Sequence, residues 1–364
     1  MRTGADRTDV APVWPTRLIR PPSDSPLLVY LDLNHWIALA KATTGHRDGV
    51  RLRPVLDELR AKRDRTTYVI GLPLVMEIAG IRRRRQLRDV AHVIEEFTDF
   101  ACVLPPHTIA ALEFESALAA VAPIVERFNP VPLVGRGVLR AAGLDGRLRI
   151  RDRNGSDVTD RARERYTKGA AAFDEFIADG ERRLDRSILQ GPQDDREEAE
   201  LRRLGWEPAV ARAGAERRAQ QEREQAARLA ADSRWRRGRL RDVVAARYVA
   251  LEIEAIRDEA LKAHGRRLPE VLPTPDAARR FTDCMPSADV RITLVTSKHR
   301  SAASRWLPND IFDIDALSVA VAYCDIVVTE AHSAHVLRQA GTPHRFGTCV
   351  LTTLDDLTEK LDAS

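Results

Sequence analysis

The chain has 364 residues, 44% of them hydrophobic and 31% charged, with 58 Lys and Arg against 54 Asp and Glu for a net charge of +4. That length holds one large or two ordinary domains and does not limit core formation, and the small basic excess, with a pI near 9.0, is only a weak pointer to an anionic partner. Cys102, Cys284, Cys324 and Cys349 are scattered with no C-x-x-C pair, which argues against a disulfide framework or structural zinc site and suits a reducing compartment. No run approaches the ~18 apolar residues of a membrane span, and the first 26 residues carry charges and prolines where a signal peptide needs an apolar core. The expectation is a cytoplasmic protein.

Residues 1–26 read as a poorly ordered arm. LLVYLDL (27–33) has strand propensity, and NHWIALAKA (34–42) takes helical spacing with Asn34 placed to cap it. VRLRPVLDELRAKRD reads as a helix kinked at Pro54. TTYVIGLP is the next strand, helices follow across 73–97, ACVLP is a third strand, and HTIAALEFESALAAVAPIV a further helix. At the other end FDIDALSVAVAYC reads as helix, DIVVT as strand, EAHSAHVLRQAG as a helix ending at Gly341, and CVLTT as strand. Strands alternating with helices at both ends predict one α/β domain with a parallel sheet, its halves at 27–125 and 285–364.

The segment 126–284 between them reads as a mainly helical, Arg-rich insertion. Residues 201–250 carry thirteen Arg against six acids. Val244, Tyr248, Leu251 and Ala255 step by four, three and four, which predicts one buried helix face. Within SRWRRGRLR (233–241), Arg234, Arg236, Arg237, Arg239 and Arg241 surround Trp235. Phosphate contacts and base stacking use these residue types, and a solvated, salt-bridged helix face uses them equally well.

Four sets of acids stand out. Asp32 follows the first strand, where open α/β sheets place ligand groups. Glu77 is the one acid in GLPLVMEIAG, and an isolated buried carboxylate is costly. Asp310, Asp313 and Asp315 crowd the first turns of a helix, with Asp310 and Asp313 three apart on one face. Glu330 directly follows DIVVT. Any one of these could be a cap or turn former, favoured by a helix dipole by at most ~1 kcal/mol. Drawn together, four carboxylates repel by roughly 4 kcal/mol per pair at ~4 Å and an effective dielectric of ~20. Some then protonate, or a hard cation such as Mg²⁺ or Mn²⁺ neutralises them.

The ordered set resembles the PIN-domain family of metal-dependent nucleases, which includes the toxin ribonucleases of toxin–antitoxin pairs. Tyr30-Leu31-Asp32-Leu33-Asn34 is similar to the family's opening strand, and Glu77-Ile78-Ala79-Gly80 to its second motif. Asp313 through Thr329 fits its third block without a gap, and Glu330 is the nearest match to its fourth acid. Many members place that last Asp where this chain has Ala331. The resemblance covers roughly 27–125 and 285–360. It implies a PIN-like parallel sheet flanked by helices and a metal-dependent nuclease acting on RNA, of toxin or defence type. Asp32, Glu77, Asp310 and Asp313 would hold Mg²⁺ or Mn²⁺, Glu330 would ligate directly or through water, and Asn34 and Asp315 would lie just behind them. The choice among Asp310, Asp313 and Asp315 stays open at this level.

Two other classes stay open: a degenerate nuclease that binds nucleic acid without cutting it, and a helical middle that docks a protein or self-associates. DRNGSDVTD (152–160) lacks the glycine and closing Glu of a calcium loop, and Asn154-Gly155 reads as a tight turn. His332 and His335 lie i, i+3 on a helix with no Cys or third His nearby in sequence. No phosphate-binding G-x-x-x-x-G-K-[ST] loop is present.

Overall fold

The computed structural model describes residues 11–144, 148–231, 238–301 and 305–363. In chain order the strands are β1 Leu18–Ile19, β2 Leu27–Leu31, β3 Thr66–Val69, β4 Ala101–Val103, β5 Val131–Pro132, β6 Val134–Arg136, β7 Ile326–Val328 and β8 Cys349–Leu351. The central sheet has the order β3-β2-β7-β8, all parallel. Strand β2 is apolar along its whole length, as a parallel strand covered on both faces requires. Trp36 from the Leu33–Thr43 helix, Tyr68 from β3 and Phe97 from the Arg84–Thr98 helix form one aromatic cluster, with centroids 5.2–6.2 Å apart. Tyr30 lies beside Ala316, Val319 and Ala320 of the Pro308–Tyr323 helix, whose small residues admit close packing. The fold is α/β, with the parallel sheet between helices.

All five strands read from the main apolar runs form. Strand β4 is the exception in placement. It pairs antiparallel with β6 and touches the central sheet through a single parallel bridge, Ile70 to Cys102. Gly341 ends the Ala331–Gln339 helix with φ 67°, and Gly155 turns the chain at φ 82° between Arg151 and Asp157.

Several expectations are corrected. Residues 11–26 are packed: β1 pairs with β5, Trp14 meets Tyr323 edge-on at 5.0 Å, and Arg20 covers the Trp14 ring at 4.2 Å. Pro54 does not kink a helix. It sits in the first turn of Arg53–Ala61, after a separate 3₁₀ segment, where its missing N–H costs nothing. The face Val244–Tyr248–Leu251–Ala255 breaks at a π-helical turn, Tyr248–Glu252. The extra residue per turn rotates the following face, so Leu251 is 64% exposed while Ile253 and Ala260 are buried.

The middle of the chain is helical but not a separate body. Apart from Phe173, which packs on Tyr166, its buried hydrophobic residues belong to the same core as the sheet. The Pro208–Ala231 helix packs on the Pro308–Tyr323 helix, and Ala170–Gln190 on Arg84–Thr98. Many of its arginines are tied to acids. Glu222 is held down to about 2; burial opposes this, but His299 at 2.7 Å and Arg247 at 2.6 Å outweigh it.

Arg241, expected among the nucleic-acid contacts, is instead buried between Asp283 at 2.8 Å and Asp289 at 2.5 Å. Removing one partner of a buried ion pair leaves its partners' charge uncompensated. Arg241→Leu should therefore cost about 3–5 kcal/mol in urea unfolding. A stability within ~0.5 kcal/mol of wild type would show that the residue acts at the surface.

Candidate metal centre

The sheet order reverses between β2 and β7, so the crevice beyond their C-terminal ends is a topological switch point, where open α/β sheets bind ligands. Asp32 follows β2 and Thr329 follows β7. The Asp32 amide continues the ladder to the Val328 carbonyl at 3.0 Å. Its Oδ1 accepts the Leu33 amide at 2.8 Å, so Asp32 caps the Leu33–Thr43 helix. Its Oδ2 accepts the Thr329 hydroxyl at 3.3 Å. Backbone and side chain together fix the carboxylate.

Asn34 is thus not the cap. It is an exposed second residue of that helix, and the donor orienting Asp32 is the buried Thr329 hydroxyl.

Glu77 comes from the Leu72–Ile78 helix and Asp313 from the first half of Pro308–Tyr323. One oxygen each from Asp32, Glu77 and Asp313 lie within 4.8 Å of one another. Burial drives Glu77 up to about 9, with Asp313 and Asp32 adding repulsion. Burial likewise drives Asp313 up to about 8, with Asp32, Glu330 and Asp310 adding to it. Asp32 is raised by burial and by Glu330, against its two hydrogen bonds. Among the described residues, the buried Glu77 Oε2 and Tyr30 Oη have no hydrogen-bond partner. Burial raises the Tyr30 hydroxyl well above its usual range, and Asp32, Glu77 and Asp313 add to the shift. An all-oxygen donor set with an orphaned carboxylate oxygen fits a hard divalent cation.

The other acids fall into two groups. Asp310 stands outside the triad. It accepts the Leu307 amide at 2.6 Å and the Lys298 ammonium at 2.7 Å. With Asp313, Glu330, Lys298 and His332 it lines a cleft of about 60 Å³, so its expected common face with Asp313 is realised. Glu330 is exposed at the rim, and Ala331 beside it is also exposed. Asp315, expected behind the ligands, points elsewhere because residues two apart on a helix do not share a face. It takes both Arg218 nitrogens at 2.6 and 2.8 Å and also pairs with Arg291. Burial would raise Asp315, yet these two guanidiniums hold it below the usual carboxylate range.

Of the basic run, Arg239 is exposed and Arg241 is structural, while Arg234, Trp235, Arg236 and Arg237 lie outside the described residues. His35, which no motif in the sequence marks, also lies here. It sits three residues after Asp32, the spacing that brings residues to one helix face. Burial lowers it, and the Thr329 carbonyl opposes that shift.

No family model, curated protein or solved structure matches this chain. Among the described residues, no helix is long and apolar enough to cross a membrane.

A carboxyl raised in the folded state binds its proton there and loses it in the unfolded chain, so stability falls as pH climbs from the unfolded value, ~4, toward the folded one. For Glu77 and Asp313 that window runs up to about 9 and about 8. In EDTA, melting temperature should fall between these limits. Glu77→Gln should remove much of the fall and stabilise the alkaline protein by about 1–3 kcal/mol. Superimposable melting profiles against pH for the two proteins would rule out this electrostatic strain.

Proposed function

We propose that this chain is a divalent-metal-dependent nuclease with a PIN-like fold that hydrolyses phosphodiester bonds, with RNA as its preferred substrate. The observation that carries this reading is the convergence of Asp32, Glu77 and Asp313 within 4.8 Å at the switch point of a parallel sheet. Three carboxylates held so close stay charged at neutral pH only with a cation among them. Asp32, Glu77 and Asp313 would hold Mg²⁺ or Mn²⁺. Such an ion lowers the pKa of water and offsets charge on a leaving oxygen.

The chain's own groups have definite tasks in this reading. The Thr329 hydroxyl and Leu33 amide hold Asp32 in one orientation, and Lys298 offsets the charge of Asp310 at the cleft. Glu330, exposed at the rim, can reach the ion through water or orient the attacking one. The preference for RNA, like a toxin or defence role, rests on the family resemblance. Ala331, where many members carry Asp, favours a second reading in which the chain binds nucleic acid without cutting it.

Purified protein on labelled RNA and DNA, with Mn²⁺ or with EDTA, tests the proposal. RNA cleavage should require the metal, and Asp32→Asn should reduce it by at least about 100-fold without loss of folding. Cleavage that persists in EDTA, or at wild-type rate in Asp32→Asn, would refute it. Calorimetric titration should show Glu77→Gln weakening Mn²⁺ binding by about 10-fold or more. An unchanged affinity would make Glu77 structural.

A further inference from the structure

Five residues beyond Glu77 the chain reads Arg82-Arg83-Arg84-Arg85, and all four side chains are exposed. Several arginines of this chain are held by acids: Arg60 by Glu96, Arg186 by Glu95, Arg218 by Asp315, Arg247 by Glu222. Among the described residues no ion pair or side-chain hydrogen bond engages Arg82, Arg83, Arg84 or Arg85. Arg212, exposed on the Pro208–Ala231 helix, joins them. Its guanidinium lies 2.8 Å from where a Cβ on Gly80 would stand.

Local energetics oppose this arrangement. The Arg84–Thr98 helix starts at Arg83 with no side-chain cap and no acid in its first turn. The positive end of a helix favours acids and disfavours cations. Four adjacent like charges there add repulsion that a polyanion would relieve. Departures from local preference of this kind concentrate at functional sites.

Position points the same way. The turn after Glu77 is tight, with Gly80 N–H donating to the Glu77 carbonyl and Ile81 N–H to that of Ile78, both at 2.9 Å. Arg82 therefore lies within ~18 Å of Glu77 along the chain, even if fully extended. The carboxylate centre by itself repels phosphate, and a flanking cationic surface offsets that. Between residues 77 and 89 no large hydrophobic side chain is exposed, so the patch lacks the apolar wedge of a membrane-surface segment.

We infer that Arg82, Arg83, Arg84 and Arg85, with Arg212, form the surface that receives the phosphates of a single-stranded polynucleotide and leads it to the carboxylate centre. The choice of polyanion rests on the nuclease reading above. Specificity of sequence is not provided by such contacts, which position the backbone.

The test is binding of a labelled single-stranded RNA oligonucleotide to the full-length protein in EDTA across a range of salt. Each phosphate contact on a single strand contributes about 0.7 to the slope of log affinity against log salt. The triple variant Arg82→Gln, Arg83→Gln, Arg85→Gln should flatten that slope by about 2. A control with the same charge change, Arg196→Gln, Arg202→Gln, Arg203→Gln, should leave it near wild type. In the cleavage assay the patch variant should show a raised KM with kcat close to normal. Equal slopes for patch variant and wild type, no RNA binding by wild type, or patch-dependent binding to phosphatidylserine vesicles alone would each overturn the inference. Patch-dependent RNA binding without metal-dependent cleavage would uphold it and refute the nuclease reading, so the two fail separately.

Discussion

The pairing of β2 with β7 is the constraint on which the rest of the molecule depends. Leu31 and Val328 are direct partners across 297 positions of chain. Closing a loop of that length costs roughly 5 kcal/mol of chain entropy, and nearly all the other elements are strung between those two strands. Their junction also creates the crevice at the sheet's reversal point. Asp32 leaves one strand and Thr329 the other, so the hydrogen bond between them lies beside the seam that joins the two ends of the fold. Site and fold are closed by the same contact surface.

Buried acids in this molecule meet different fates: Glu113 and Asp185 are raised by burial but satisfied by hydrogen bonds from Tyr323, Ser287 and the Val138 amide, and the others divide by whether a guanidinium or another acid faces them. Asp315, Glu222, Asp283 and Asp289 are each met by guanidinium groups, and in Asp315 and Glu222 the compensation overcomes burial. Glu77 and Asp313, in the same protein, have acids for neighbours and are forced upward. A fold able to supply arginines to four buried acids leaves these two without one. That is the physical ground for proposing a cation there, and it is independent of any family resemblance.

The basic middle is held in the fold by ion pairs of the same kind. Its arginines looked like a nucleic-acid surface in composition. Arg218 and Arg241 instead tie the helical segment to the Pro308–Tyr323 and Pro286–Arg300 helices, and Arg247 holds Glu222, which itself bonds His299 of the latter helix. The exposed run at Arg82–Arg85 lies in the first half of the chain, beside the Glu77 motif. Gly80 links the two features: a Cβ there would stand 2.9 Å from the Glu77 carbonyl and 2.8 Å from Arg212.

By itself the sequence determined the strands at both ends of the chain, the α/β class, and the acids worth watching. Apolar runs bounded by breakers, and a carboxylate inside GLPLVMEIAG, are local facts that need no partner to be legible. It also determined that Asp310 and Asp313 share a face, because helical spacing is local. Which acids meet was decided by tertiary structure alone. Asp313 reaches Asp32 and Glu77, Asp310 turns to Lys298, and Asp315 to Arg218 and Arg291, yet all three stand within one and a half turns of one helix. Their difference lies in what packs against each face, and Lys298 and Arg218 come from segments 12 and 97 positions away. The phase slip at Tyr248–Glu252 and the burial of Arg241 escaped for the same reason. A spacing rule assumes an unbroken helix, and a charge count does not know its partners until the chain has folded.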